Sequence, residues 1–180
     1  MVKSLTQKVI LPLVICSSGV GISAAEDDVE KIIAKARSAA PTSISANATV
    51  IANGKVIAEG SNGWTCLPDT MPKDGAPMCN DALWMTMLNA VGNKEPFEAT
   101  GIGISYMLQG DQGAGLSNSD PYHPDPKKAA DYTETGPHLM IILPKELLEG
   151  ITDDPSTGGP YVMWKDTPYR HLMVPVGDKK

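Results

Sequence analysis

Asn53-Gly54, set between two runs of β-branched residues, constrains this chain more than any other feature. Asparagine and glycine both tolerate positive φ, and a type I′ turn needs that at two successive positions. Residues 49–58 are therefore read as a tight β-hairpin. A two-residue loop pairs Ile51 with Val56 and Val50 with Ile57. Both faces then carry apolar side chains, which predicts a hairpin inside a sheet covered on both sides.

The remaining segments fit around a sheet. Residues 26–40 predict an amphipathic helix, with Val29, Ile32, Ile33 and Ala36 on one stripe and Pro41 as its stop. A second helix is capped by Asn80 or Asp81 and runs to about Val91. It turns Leu83, Trp84, Met87, Leu88 and Val91 inward, and Gly92 ends it. Strands are expected at 64–67, 101–108, 139–143, 161–164 and 170–176, with a short helix at 144–149. The glycines at 101 and 103 suggest that another backbone packs closely there. Residues 109–126 lack periodicity and are long for a connection in a compact domain, which marks a functional or disordered loop. Strands with interspersed helices and no βαβ rhythm predict an α+β fold: a mainly antiparallel sheet with an N-terminal helix and one central helix packed on it.

The N-terminus reads as an export signal. Lys3 and Lys8 precede an apolar stretch, and Ser23-Ala24-Ala25 supplies small residues before Glu26-Asp27-Asp28. The expected organisation is a signal peptide at 1–25 and a single α+β domain at 26–180, working in the periplasm or outside the cell. The apolar run is too short and glycine-broken for a lasting membrane span. Removing Lys3 and Lys8 with no acidic residue takes the net charge from −6 to −8. So acidic a chain is a poor ligand for nucleic acid or for an anionic membrane surface. Of three cysteines, Cys16 lies in the signal, and Cys66 and Cys79 remain as an even pair. Outside the cytoplasm that pair predicts a disulfide bracing the proline-rich segment between them. Asn47-Ala48-Thr49 is a glycosylation sequon, meaningful only in a host that glycosylates exported proteins.

Three constellations carry possible chemistry. His138-Leu139-Met140 is echoed by His171-Leu172-Met173. Residues two apart in a strand share a face, so neighbouring strands would bring two imidazoles and two thioethers together. Imidazole with soft thioether favours copper(I), and the pattern resembles the His-x-Met ligand pair of periplasmic copper chaperones, though not their spacing. The plainer reading, preferred on sequence alone, is core packing, because methionine fills irregular gaps. The second constellation is the loop with Asp111, Asn118, Asp120, His123 and Asp125, whose oxygens suit calcium. It lacks an EF-hand pattern, and such residues also make turns. The third is Trp164, Tyr169 and Arg170, with Trp64, which can line a ligand cleft in which Arg170 grips a carboxylate. Its plainer reading is an ordinary turn with two aromatics capping the core.

The runs at 60–66, 78–81, 106–110 and 159–164, with Thr167-Pro168-Tyr169, resemble a set of bacterial exported proteins of unknown function. That resemblance implies a compartment and one domain, and no mechanism. No Gly-x-Ser-x-Gly elbow, His-Glu-x-x-His helix or phosphate-cradling glycine loop occurs in the sequence. The expected function is thus a non-catalytic domain binding an unknown small molecule or protein, with no cofactor, at a concave apolar patch near Trp64 or Trp164. The alternatives are a copper-binding protein using His138, Met140, His171 and Met173, and a small hydrolase using one of those histidines.

Overall fold

A computed structural model describes residues 24–179. Most of the export signal read from the sequence, residues 1–23, lies outside the described residues. The fold is α+β with a mainly antiparallel sheet. Helix α1 (Ala24–Arg37) and a single turn α2 (Thr42–Ser45) precede strands β1 (Thr49–Ala52), β2 (Lys55–Ala58), β3 (Thr65–Leu67) and β4 (Met78–Asn80). Helix α3 (Ala82–Asn93) follows, then β5 (Gly103–Met107), β6 (Leu116–Ser117), β7 (Tyr132–Thr133), β8 (His138–Ile142), β9 (Tyr161–Met163) and β10 (His171–Pro175). Eight strands form one sheet in the order β2-β1-β3-β4-β5-β8-β10-β9, and β6 pairs with β7 separately. Every pairing is antiparallel except that of β1 with β3. No helix among the described residues is long and apolar enough to cross a membrane.

The hairpin turn forms as its residues dictate, with φ of 50° at Asn53 and 71° at Gly54. Its setting differs from expectation. A register shift after Val50 pairs that residue with Ala58 rather than Ile57, while Ile51 keeps Val56. Moreover β2 is the sheet's outer strand, and Lys55 and Val56 are exposed. A charged residue on a short edge strand blunts its unpaired backbone against other chains.

Helix α3 begins where Asp81 caps it, one carboxylate oxygen accepting from Trp84 N at 2.9 Å and the other from Ile104 N at 2.6 Å. One side chain thus starts the helix and pins it to β5. Gly92 does not end the helix. Lys94 does so in a left-handed conformation, its N–H donating to the carbonyls of Ala90 and Val91. Close packing at Gly103 involves side chains rather than backbone, since a Cβ there would lie 3.1 Å from Leu83 Cβ and Ile142 Cδ1.

Strand alternation sorts the core into two faces. On one face, α1 and α2 cover Val50, Cys66 and Cys79, with Trp64 and Tyr106 at the margin. The expected Cys66–Cys79 disulfide is present and joins directly opposed residues of β3 and β4. On the other face, α3 covers a core dominated by Trp84 and by Met78, Met107, Met140, Met163 and Met173. Five of the chain's nine methionines therefore leave the sheet on the same side.

Candidate functional site

The segment from 109 to 135 folds as a flap over that methionine face. Two-residue strands β6 and β7 pair with each other, Leu116 opposite Thr133. Close approach requires glycine beside them, because a Cβ on Gly115 would lie 2.2 Å from the Thr133 carbonyl oxygen. Trp164 ties the flap down, donating its backbone N–H to Asn118 O at 2.7 Å and its Nε1–H to Ser117 O at 3.0 Å. It does so from a left-handed backbone conformation, φ 54°, which is unusual for tryptophan. At the flap's first turn, Thr135 N donates to Asp111 Oδ2 at 2.6 Å. Ser117 and Ser119 bond the Asp131 carboxylate within the flap and hold it below the usual carboxylate range.

Between flap and sheet lies a cavity of about 60 Å³. That is room for about two waters, far below the 300 Å³ or more of a drug-sized pocket. Its wall is mostly apolar; the polar residues are the two histidines, Thr70, Thr133, and an end formed by Asp111, Thr135 and Tyr161. Thr135 Oγ1 and Tyr161 Oη share a hydrogen bond of 2.8 Å, and burial pushes the Tyr161 phenol up to about 12. Burial likewise raises the Asp111 carboxyl, although the neighbouring His138 imidazole and the Thr135 N–H pull the other way.

The histidines have matching environments. His138 Nδ1 lies 2.7 Å from Gly136 O, and His171 Nδ1 lies 2.9 Å from Tyr169 O. A carbonyl oxygen only accepts, so Nδ1 carries the proton in each ring. In the neutral ring Nε2 is then a bare lone pair. Neither Nε2 has a hydrogen-bond partner, and the residues are 0% and 2% exposed. Burial lowers the His171 pKa to about 4, so that ring is neutral near pH 7. It sits between Trp84 and Trp164, with ring centroids 5.2 and 5.1 Å away in edge-on contact. Trp84 Nε1 in turn donates to Met140 O at 3.1 Å.

The two His-Leu-Met segments are neighbours with their histidines on one face. Strands β8 and β10 pair antiparallel with Met140 directly opposite Met173. The imidazoles therefore do not meet. They lie to either side of the methionine pair, each with a further methionine directly across from it: Met107 opposite His138 and Met163 opposite His171. His138 Nε2 is also 3.9 Å from Asp111 Oδ1.

The other expected sites are dispersed. Trp64 packs on the opposite face of the sheet, 5.6 Å from the Tyr106 ring. Trp164 lines the cavity, whereas Tyr169 turns to the end of α3 and donates to Glu95 O at 2.7 Å. Arg170 donates Nε–H to Thr167 O and lines an outer cleft with Lys145. Of the loop oxygens, Asn118 donates to Asp153 O, Asp120 accepts from Tyr122 N, and Asp125 pairs with Lys128. His123 Nδ1 accepts from Asp125 N. Among the described residues no group of three or more His, Cys, Asp or Glu is placed to hold a metal, so any ligand set here depends on thioethers. Neither histidine hydrogen-bonds a serine, which leaves the hydrolase expectation without a nucleophile–base pair.

Sequence reading overlooked Met78, Met107, Met163 and Tyr161 as cavity residues. Alternation along their strands was the available signal; which strand lies opposite which was not. No family model, curated protein or solved structure matches the chain.

Proposed function

We propose that this is an exported, non-catalytic binding domain whose cavity beneath the flap takes a copper(I) ion. His171 Nε2 is the nitrogen ligand, and Met140, Met163 and Met173 offer the sulfurs. One observation carries the reading: a fully buried Nε2 lone pair with no partner, among thioethers. Buried polar atoms in folded proteins are almost always paired. A histidine whose other nitrogen is fixed on a backbone carbonyl is the usual setting of a metal ligand. Imidazole and thioether together favour copper(I) over hard cations. The cavity is too small for an organic ligand of ordinary size, and this supports an ion. The disulfide supports an oxidising compartment, where Cys66 and Cys79 are not competing thiolates.

The test is an anaerobic competition between the purified protein and a chromophoric copper(I) chelator, with ascorbate as reductant so that the disulfide survives. The expected result is retention tighter than micromolar, weakened at least a hundredfold by His171→Leu. Failure to take copper(I) from the chelator, or binding unchanged by His171→Leu, overturns the reading.

A further inference from the structure

Resting on that reading, we infer that the cavity has two copper(I) stations, an inner one at His171 and an outer one formed by His138, Met107 and Asp111, and that ions enter through the outer station. The first argument is span. With Met140 opposite Met173, the two histidines stand four residue steps apart along paired strands. At about 3.3 Å per step their strand positions differ by about 13 Å. One ion bound to both rings would need their nitrogens about 4 Å apart, given metal–nitrogen bonds of about 2 Å. Neither ring is free to close that gap. Each is held by Nδ1 on a carbonyl two residues back, on the side away from the methionine pair.

The second argument is that each end is furnished separately. Met107 stands opposite His138, and Met163 stands opposite His171. The Met140–Met173 pair between them is a sulfur bridge that either station can share. The ends differ in charge. The outer one has the Asp111 carboxylate, 3.9 Å from the unpartnered His138 Nε2, to offset a cation. The inner one is walled by Trp84 and Trp164.

The third argument is access. Asp111 and Thr135 line the cavity and also an outer cleft of about 560 Å³ between residues 109–113 and 134–137. Gly110, Gln112 and Gly113 all have positive φ, so the cleft's rim is a succession of tight turns hung on the Thr135–Asp111 hydrogen bond. The cleft's rim also carries Lys179, 4.0 Å from the Glu134 carboxylate; past that pair a cation meets the Asp111 carboxylate, then an imidazole, then sulfur. It exchanges one ligand at a time and never crosses bare apolar wall.

Native mass spectrometry of protein saturated with copper(I) counts the ions. Stopped-flow quenching of Trp84 and Trp164 follows loading of the inner station. Two ions are expected, falling to one in His138→Leu, one in His171→Leu and none in the double variant. Asp111→Asn and Met107→Leu, which change volume little, keep the inner ion but load it at least tenfold more slowly. They also keep the inference testable should the His138 variant not fold. A single ion on the wild-type protein, whether lost in both histidine variants or only in His171→Leu, overturns the two-station inference and leaves the copper reading standing. Inner loading at an unchanged rate in both Asp111→Asn and Met107→Leu overturns the entry route. No ion at all removes both.

Discussion

Replacing His171 by leucine should abolish a specific acid sensitivity of the metal-free protein. In the folded chain burial lowers this imidazole from 6.5 to about 4. Above pH 6.5 it is neutral in both folded and unfolded chains and adds no pH dependence. Between 6.5 and about 4 the unfolded chain holds the extra proton, so stability falls as pH falls. Below about 4 both states are protonated and the loss stops growing. Integrated over that window, the penalty is about 2 kcal/mol at pH 5 and about 3 kcal/mol at pH 4. Leucine has similar bulk but leaves the Tyr169 carbonyl unpaired, which costs a fixed amount of about 1–3 kcal/mol at every pH. Urea unfolding of both proteins at several pH values between 7.5 and 4, with chelator present, separates the two effects. The difference between the proteins removes the carboxylates they share, including Asp111, whose raised carboxyl adds stability as pH falls. The gap should narrow by about 2 kcal/mol between pH 7.5 and 5. A gap that stays constant over this range would refute the claim that a neutral, unpartnered imidazole is buried there.

Other outcomes follow from single contacts. Asp81→Ala removes the α3 cap and strands Ile104 N, so chemical denaturation should register a loss of about 2 kcal/mol. Replacing Cys66 and Cys79 together opens a loop with a sequence separation of 13 and should cost about 3 kcal/mol by the same assay. Gly115→Ala drives a Cβ into the Thr133 carbonyl and lifts the flap. Tryptophan emission should shift red as Trp164 meets water, and thermal unfolding should reveal a loss of about 1–3 kcal/mol.

The legible part of the fold was the part written in local chemistry. Asn53-Gly54 turns as glycine and asparagine permit, and Asp81 caps the helix it precedes. Two cysteines in a proline-rich segment make the expected bond. What was not legible depends on partners distant in the chain. The hairpin's apolar faces suggested an interior strand, yet β2 is an edge, because no local signal says that nothing pairs beyond it. Strand β4 was missed because three residues after a proline-rich run are too few to display alternation. The flap was read as irregular for the same reason, its strands being two residues long. The His-Leu-Met echo pointed to two strands that do lie side by side, with their histidines on one face. Antiparallel direction then set the imidazoles at opposite ends of a methionine pair instead of together. Met107 and Met163 became candidate ligands only once register placed them opposite His138 and His171.

X-ray absorption at the copper edge, on protein carrying one equivalent of copper(I) with its disulfide intact, probes the central claim most directly. Imidazole nitrogen and thioether sulfur should share the first shell, and sulfur scattering should fade in a variant with Met140, Met163 and Met173 changed to leucine. A shell of oxygen and nitrogen alone, or copper lost on gel filtration, would contradict the account.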